Sequence, residues 1–174
     1  MAPFRLPDPC LVVLVGAAGS GKTTFAERHF EADEVLSSDA FRGVVSGDEA
    51  DQRATRAAFA LLHRALEDRL AAGRTTVVDA TNVTRPARRA LLRIAAAHRV
   101  PAIAIVLDLD PDLILRRNAA RSGRVVPEAA VRRQLGALVR ARAEMAGEDF
   151  SAVVVLREPD VVATLSVVRV EAIP

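Results

Sequence analysis

The chain has 174 residues, 51% of them hydrophobic and 26% charged, with a formal net charge of +2 at pH 7. That length suits one domain with a sizeable core, and the composition excludes a disordered chain. One cysteine, Cys10, excludes an internal disulfide and a cysteine metal cluster, and no apolar run approaches the about 18 residues of a membrane helix, so no membrane partner is expected.

The N-terminal residues mimic a secretion signal, with Arg5 ahead of "CLVVLVGAA". Asp8 and three nearby prolines argue against one, and the expected setting is cytoplasmic. The same apolar run, residues 10–15, reads as a strand buried on both faces. It breaks at Gly16, and a helix is predicted over 22–30. A short strand follows at 34–37. Residues 48–73 carry a long helical pattern with Phe59, Leu62, Leu66 and Leu70 on one face and Gly73 as the stop. A third strand spans 75–80. A helix over 84–99 starts with a Thr cap and a Pro in its first turn. A fourth strand spans 101–109, helices at 111–123 and 127–145 flank a Gly-containing loop, and a fifth strand lies at 151–156. Residues 166–172 read as one further strand.

Strands alternating with helices imply βαβ units. The expected fold class is α/β, a P-loop NTPase or kinase fold. It has a central parallel five-stranded sheet flanked by helices, a helical lid at about 111–145, and a single domain over 1–174.

"GAAGSGKT" at 16–23 fits G-x-x-x-x-G-K-[ST] and lies between a predicted strand and a predicted helix, the context that motif requires. Gly16, Ala17, Ala18, Gly19, Ser20 and Gly21 are expected to turn their backbone N–H groups around a phosphate, with Thr24 continuing the set into the helix. Lys22 reaches the β- and γ-phosphates, and the Thr23 hydroxyl is a Mg²⁺ ligand. Lys22 is also the only lysine, against 23 arginines. Position 22 therefore requires a compact ammonium, not a planar fork.

"SSDAFRG" follows the second strand. Asp39, placed at the end of that strand, reaches the carboxyl edge of the sheet, where ligands of open α/β sheets bind. A kinase needs a base aimed at the acceptor hydroxyl, and Asp39 fits that need. Arg42, one helical turn later, is positioned to hold an anionic part of the acceptor. "SSD" is equally a good helix cap. Asp79, in "VVDATN", sits where it either holds Mg²⁺ through water or orients Arg42. Asn82 and Thr84 read as caps without chemistry.

Charge is uneven. Residues 85–142 hold 13 basic and 4 acidic groups, which suits a polyanionic ligand, although most of these arginines are expected to solvate helix faces. In "RRNAARSGRVV" Arg117 and Arg121 stand one above the other on a helix, and Arg124 follows in the loop. Two helices around an Arg-bearing loop suggest a lid that closes on phosphates. A solvated helix hairpin has the same pattern.

"GAAGSGKTTFA", "SSDAFRG", "VVDATN" and "RRNAARSGRVV", in this order and spacing, resemble the 5′-polynucleotide kinase domain of bacterial polynucleotide kinase-phosphatases, a member of the P-loop kinase superfamily. The likeness runs from about residue 11 to residue 156. It implies ATP- and Mg²⁺-dependent phosphorylation of a 5′-hydroxyl end of RNA or DNA. Asp39 is then the general base, Arg42 the acceptor-site arginine and Asp79 the acid of the DATN element. Arg117, Arg121 and Arg124 are lid arginines facing the ATP phosphates. In that family the kinase is often covalently linked to phosphatase and ligase-like domains. His29, His63 and His98 are scattered over helical patterns and suit no metallophosphatase. A kinase for a small-molecule hydroxyl acceptor, or a slowly hydrolysing nucleotide-binding module, remains open on the same motifs.

Overall fold

The structure, a computed structural model, describes residues 3–47 and 55–171. The chain runs β1 (Phe4–Asp8), β2 (Leu11–Val15), α1 (Lys22–His29), a 3₁₀ turn (Ala32–Glu34), β3 (Val35–Ser37), α2 (Ser38–Ser46), α3 (Thr55–Ala71) and β4 (Thr76–Asp79). It continues through α4 (Arg85–Ala97), β5 (Ala102–Leu107), α5 (Pro111–Ala119), α6 (Glu128–Met145), β6 (Ala152–Leu156), α7 (Pro159–Thr164) and β7 (Val167–Glu171).

Five strands form one parallel sheet in the order β3-β4-β2-β5-β6. β2 lies at its centre and has no exposed residue, which is why its sequence is an unbroken apolar run and not an alternation. Its side chains still divide by parity. Leu11, Val13 and Val15 enter a core with Leu62 and Leu66 of α3, Leu91 of α4 and Leu138 of α6. Val12 and Leu14 enter a second core with Phe25 of α1, Phe30 and Leu6. Helices therefore cover both faces, as the period of two along a parallel strand demands. A third, smaller cluster of Ala17, Leu109, Ile114, Val126 and Val131 lies beneath the α5–α6 hairpin.

The chain leaves β2 toward the β3 edge and later crosses from β4 to β5 on the other side of β2. This reversal opens a crevice beyond the carboxyl ends of the strands. Register then decides which residues meet there. Asp79 lies level with Leu14 on one side and Ser37 on the other, so the ends of three strands bring the phosphate loop, Asp79 and α2 to one edge.

Two elements depart from the expected ones. β1, in a proline-rich segment not expected to be a strand, pairs in parallel with β7 as a separate two-stranded sheet. Arg169 of β7 binds both carboxylate oxygens of Glu34 at 2.7 and 2.5 Å, which ties this pair to the 3₁₀ turn. A short helix, α7, occupies a stretch read as a loop. The helix expected over 48–73 is described from Thr55, and its first residues, 48–54, lie outside the described residues.

Candidate active site

The phosphate loop owes its shape to backbone conformations that glycine alone adopts easily. Gly19 has φ 89° and Gly21 φ 95°, both left-handed. Gly19 is constrained by space as well, because a Cβ there would stand 2.6 Å from the Ile114 carbonyl oxygen of α5. The loop is thus pressed against the first helix of the lid.

From this loop Lys22 turns inward. Its Nζ donates to the carbonyls of Gly16 (3.0 Å) and Ala17 (2.9 Å). Burial pushes its pKa down to about 8; Arg121 pushes the same way, and Asp79 pulls it back up. An arriving phosphate is a strong counter-charge and should restore the proton. Above about pH 8 binding then takes up a proton, and affinity falls by up to about tenfold per pH unit. Calorimetry at about pH 9 in buffers of different ionisation enthalpy measures that uptake directly. Lys22→Arg, which does not titrate in this range, should abolish it; uptake that persists in that variant would assign the proton to another group.

Thr23, in the first turn of α1, and Asp79, at the end of β4, meet. The Thr23 hydroxyl donates to Asp79 Oδ2 at 2.7 Å. A hydroxyl and a carboxylate side by side are hard oxygen donors that suit Mg²⁺. Among the described residues no group of three or more His, Cys, Asp or Glu could hold a metal by itself, so such an ion would depend on water and phosphate for its remaining ligands.

Asp39 stands not at the end of β3, as its spacing suggests, but at the second residue of α2. Ser37 takes the cap position, its hydroxyl accepting from the Ala40 N–H at 3.4 Å. The shift is small and favourable: a carboxylate in the first turn meets the positive end of the helix. Arg42 is buried and forms an ion pair with Asp39. Arg124, expected to face phosphates, reaches the same carboxylate, with Nη1 3.2 Å from Oδ1.

These groups surround one cleft of about 490 Å³. The loop from Ala18 to Thr24 lines it, together with Asp39, Arg42, Asp79 and the lid arginines Arg117, Arg121 and Arg124. Gly16 and Ala17 lie beneath and contribute carbonyls to Lys22. His29, His63 and His98 do not line it; Phe25 packs on His29 and Phe59 on His63.

Four residues not singled out, or assigned no chemistry, brace this site. Asn82, in the left-handed conformation at φ 48°, donates through Nδ2 to the Leu14 carbonyl at 2.8 Å, just before the loop. Arg88, with no exposed surface, donates to the Asn82 carbonyl. Asn118 clamps the lid loop, donating to the Val126 carbonyl at 2.7 Å and accepting from its N–H at 3.2 Å. Gln134 of α6 accepts the Ala18 N–H at 2.8 Å. The faint signals are Asn118 four residues after Ile114 and Arg88 three before Leu91, polar groups on otherwise buried helix faces. Gln134 carries none.

The sequence pattern of a family described as an AAA domain matches residues 11–145, from the first core strand to the end of α6. The chain belongs to this AAA domain family. Solved structures of other proteins share the kinase-like P-loop fold found here. The Pnkp1/Rnl/Hen1 RNA repair complex contains a chain 20% identical, with a TM-score of 0.69 over 80% of this chain and 47% of that one. The present sequence thus spans about half of that relative's length. A gluconokinase from Sinorhizobium meliloti is 21% identical, with a TM-score of 0.60 over 92% of this chain and 89% of that one. Kti12 of Chaetomium thermophilum, in complex with ADP-AlF3, is 21% identical with a TM-score of 0.58, covering 86% and 90%. No curated protein matches the chain. Among the described residues no helix is long and apolar enough to cross a membrane.

Proposed function

We propose that this AAA domain protein is an ATP-dependent kinase that transfers the γ-phosphate to a 5′-hydroxyl end of RNA or DNA. The observation that carries the reading is the Asp39 carboxylate, held by Arg42 and Arg124 in the same cleft as Lys22 and Thr23. A switch or motor needs a group that positions water; a carboxylate fixed beside the phosphate loop suits a hydroxyl acceptor.

In this reading the acceptor oxygen attacks the γ-phosphorus in line. The new O–P bond forms as the bond to the β-phosphate oxygen breaks, ADP leaves with the electron pair, and the hydroxyl proton passes to Asp39. Lys22 and the loop amides hold the β- and γ-phosphates. Thr23 and Asp79 would hold Mg²⁺, which would supply charge neutralisation when bound. Arg117 and Arg121 reach the phosphates from the lid. Arg42 sits deepest at the acceptor end and suits a phosphate next to the terminal nucleoside. Thr55 and Phe59 of α3 and Val126 of the lid also line the cleft. Phe59, half-buried, offers apolar surface, more fitting for a nucleobase than for a polyhydroxyl sugar acid.

A small hydroxyl acceptor is the second reading, favoured by the gluconokinase likeness, which spans nearly the whole of both chains. Transfer of γ-labelled phosphate from ATP separates the two. Matched 5′-hydroxyl RNA and DNA oligonucleotides should be labelled in preference to gluconate and nucleosides. Label on a small acceptor alone would replace the polynucleotide reading.

A further inference from the structure

We propose that Gln134 is a positioning residue for the γ-phosphate end of the phosphate loop, so that recognition of a triphosphate depends on docking of the lid. The inference rests on the nucleotide-binding part of the reading above and is independent of which hydroxyl is the acceptor.

Gln134 lies on α6, 116 residues from the loop it touches. Its Oε1 accepts the Ala18 N–H, and the side chain lines the same cleft as Lys22. Ala18 marks a particular end of the loop. The Lys22 ammonium, which reaches β- and γ-phosphates in this motif, lies against the carbonyls of Gly16 and Ala17, directly preceding Ala18. The amides that open α1 are at the other end and serve the α- and β-phosphates. Gln134 therefore acts where a triphosphate differs from a diphosphate.

The lid is docked here from two sides. Gly19 abuts α5, whose Ile114 carbonyl leaves no room for a Cβ. Gln134 approaches from α6. A carboxamide suits this place: its oxygen satisfies the backbone donor, its Nε2 is a neutral donor for a phosphate oxygen, and it brings no negative charge toward the phosphates. Glutamate could accept the same N–H but would repel the ligand.

The test compares direct binding of Mg²⁺-ADP and of the Mg²⁺-bound β,γ-imido analogue of ATP to Gln134→Leu and Gln134→Glu. Gln134 is only half-buried, so both variants should fold, and thermal melting checks it. Losing one hydrogen bond at the γ end should weaken the triphosphate analogue by about three- to tenfold and leave ADP unchanged. Gln134→Glu should weaken the analogue at least as far. A plain structural strut behaves otherwise: both nucleotides would lose affinity together in Gln134→Leu, and Gln134→Glu would recover both. That result, or no change for either nucleotide, overturns the proposal. Failure of the parent protein to label any oligonucleotide, with the analogue-to-ADP ratio still reduced in the variants, would overturn the acceptor reading alone. Failure of the parent protein to bind either nucleotide would overturn both.

Discussion

Replacing Asp39 by Asn lowers phosphoryl transfer by about 10²–10⁴-fold, the range for loss of a general base, and leaves nucleotide binding intact. The substitution keeps the size of the side chain and one oxygen to accept from arginine. What it removes is the site that takes the acceptor's proton. The position tolerates the change structurally, because the Asp39 side chain is 42% exposed and the helix is capped by Ser37. Arg42 is different, since its side chain is only 7% exposed and Asp39 is its counter-charge. Single-turnover transfer, measured beside nucleotide affinity, separates the two effects. A rate above about a tenth of the parental value would remove Asp39 from the role of base. Loss of nucleotide binding would mean that the Asp39–Arg42–Arg124 cluster shapes the donor side as well.

A second large effect is expected far from the reacting atoms. Arg88 has no exposed surface, yet it makes a two-pronged contact with Glu148, Nε to Oε2 at 2.8 Å and Nη2 to Oε1 at 2.7 Å. The same Nη2 reaches Glu144 at 2.9 Å, and Nη1 holds the Asn82 carbonyl. Burial alone would push this guanidinium's pKa down; the hydrogen bonds and charges of Glu148 and Glu144 outweigh it, so the group is held above its ordinary value. Glu148 is itself only 6% exposed on its side chain. Arg88→Leu leaves that carboxylate buried without a partner, which costs about 3–5 kcal/mol. For a chain of this size, that is a fall in Tm of about 10 °C. Removing the stranded charge together with its partner, in Arg88→Leu/Glu148→Leu, should recover much of the loss. Denaturant unfolding of the two variants measures both numbers; a single-variant loss under about 1 kcal/mol would mean that water reaches and solvates Glu148.

The network also explains how a distant ion pair serves the cleft. Arg88 joins the end of α6 to the Asn82 loop, and Asn82 braces Leu14 at the root of the phosphate loop. α6 carries Gln134 back to Ala18. The longer helix of the lid hairpin is thereby anchored near its C-terminal end and again at Gln134.

Much of this was legible in the amino-acid sequence because the signals are local. A strand buried on both faces must be an apolar run, so β2 and β5 are plain. The phosphate loop is plain because its backbone needs glycine at Gly19 and Gly21 and its ligand needs Lys22. Periodicity placed α4 and α6 within a few residues. Asp39 and the lid arginines could be chosen as site residues because they fall just after strands or on a hairpin expected at one edge. β1 was invisible: "FRLPD" carries a proline and becomes a strand only because β7, over 150 residues later, supplies its hydrogen bonds.

The sequence by itself determined the α/β class, the parallel sheet, the phosphate loop and several of the residues that line the cleft. Each depends on chain neighbours, through periodicity, turn chemistry or one short motif. Only the tertiary structure decided the partners. Arg124 turned to Asp39, Asp79 to Thr23, Arg88 to Glu144 and Glu148, and Gln134 to Ala18. Those choices depend on which strand ends stand level and how the lid packs over Gly19, and a side chain carries the same letter whichever partner it finds. The physical reason is range. Most backbone conformation is set within a few residues, while a hydrogen bond between side chains is set by the packing of elements up to 135 residues apart.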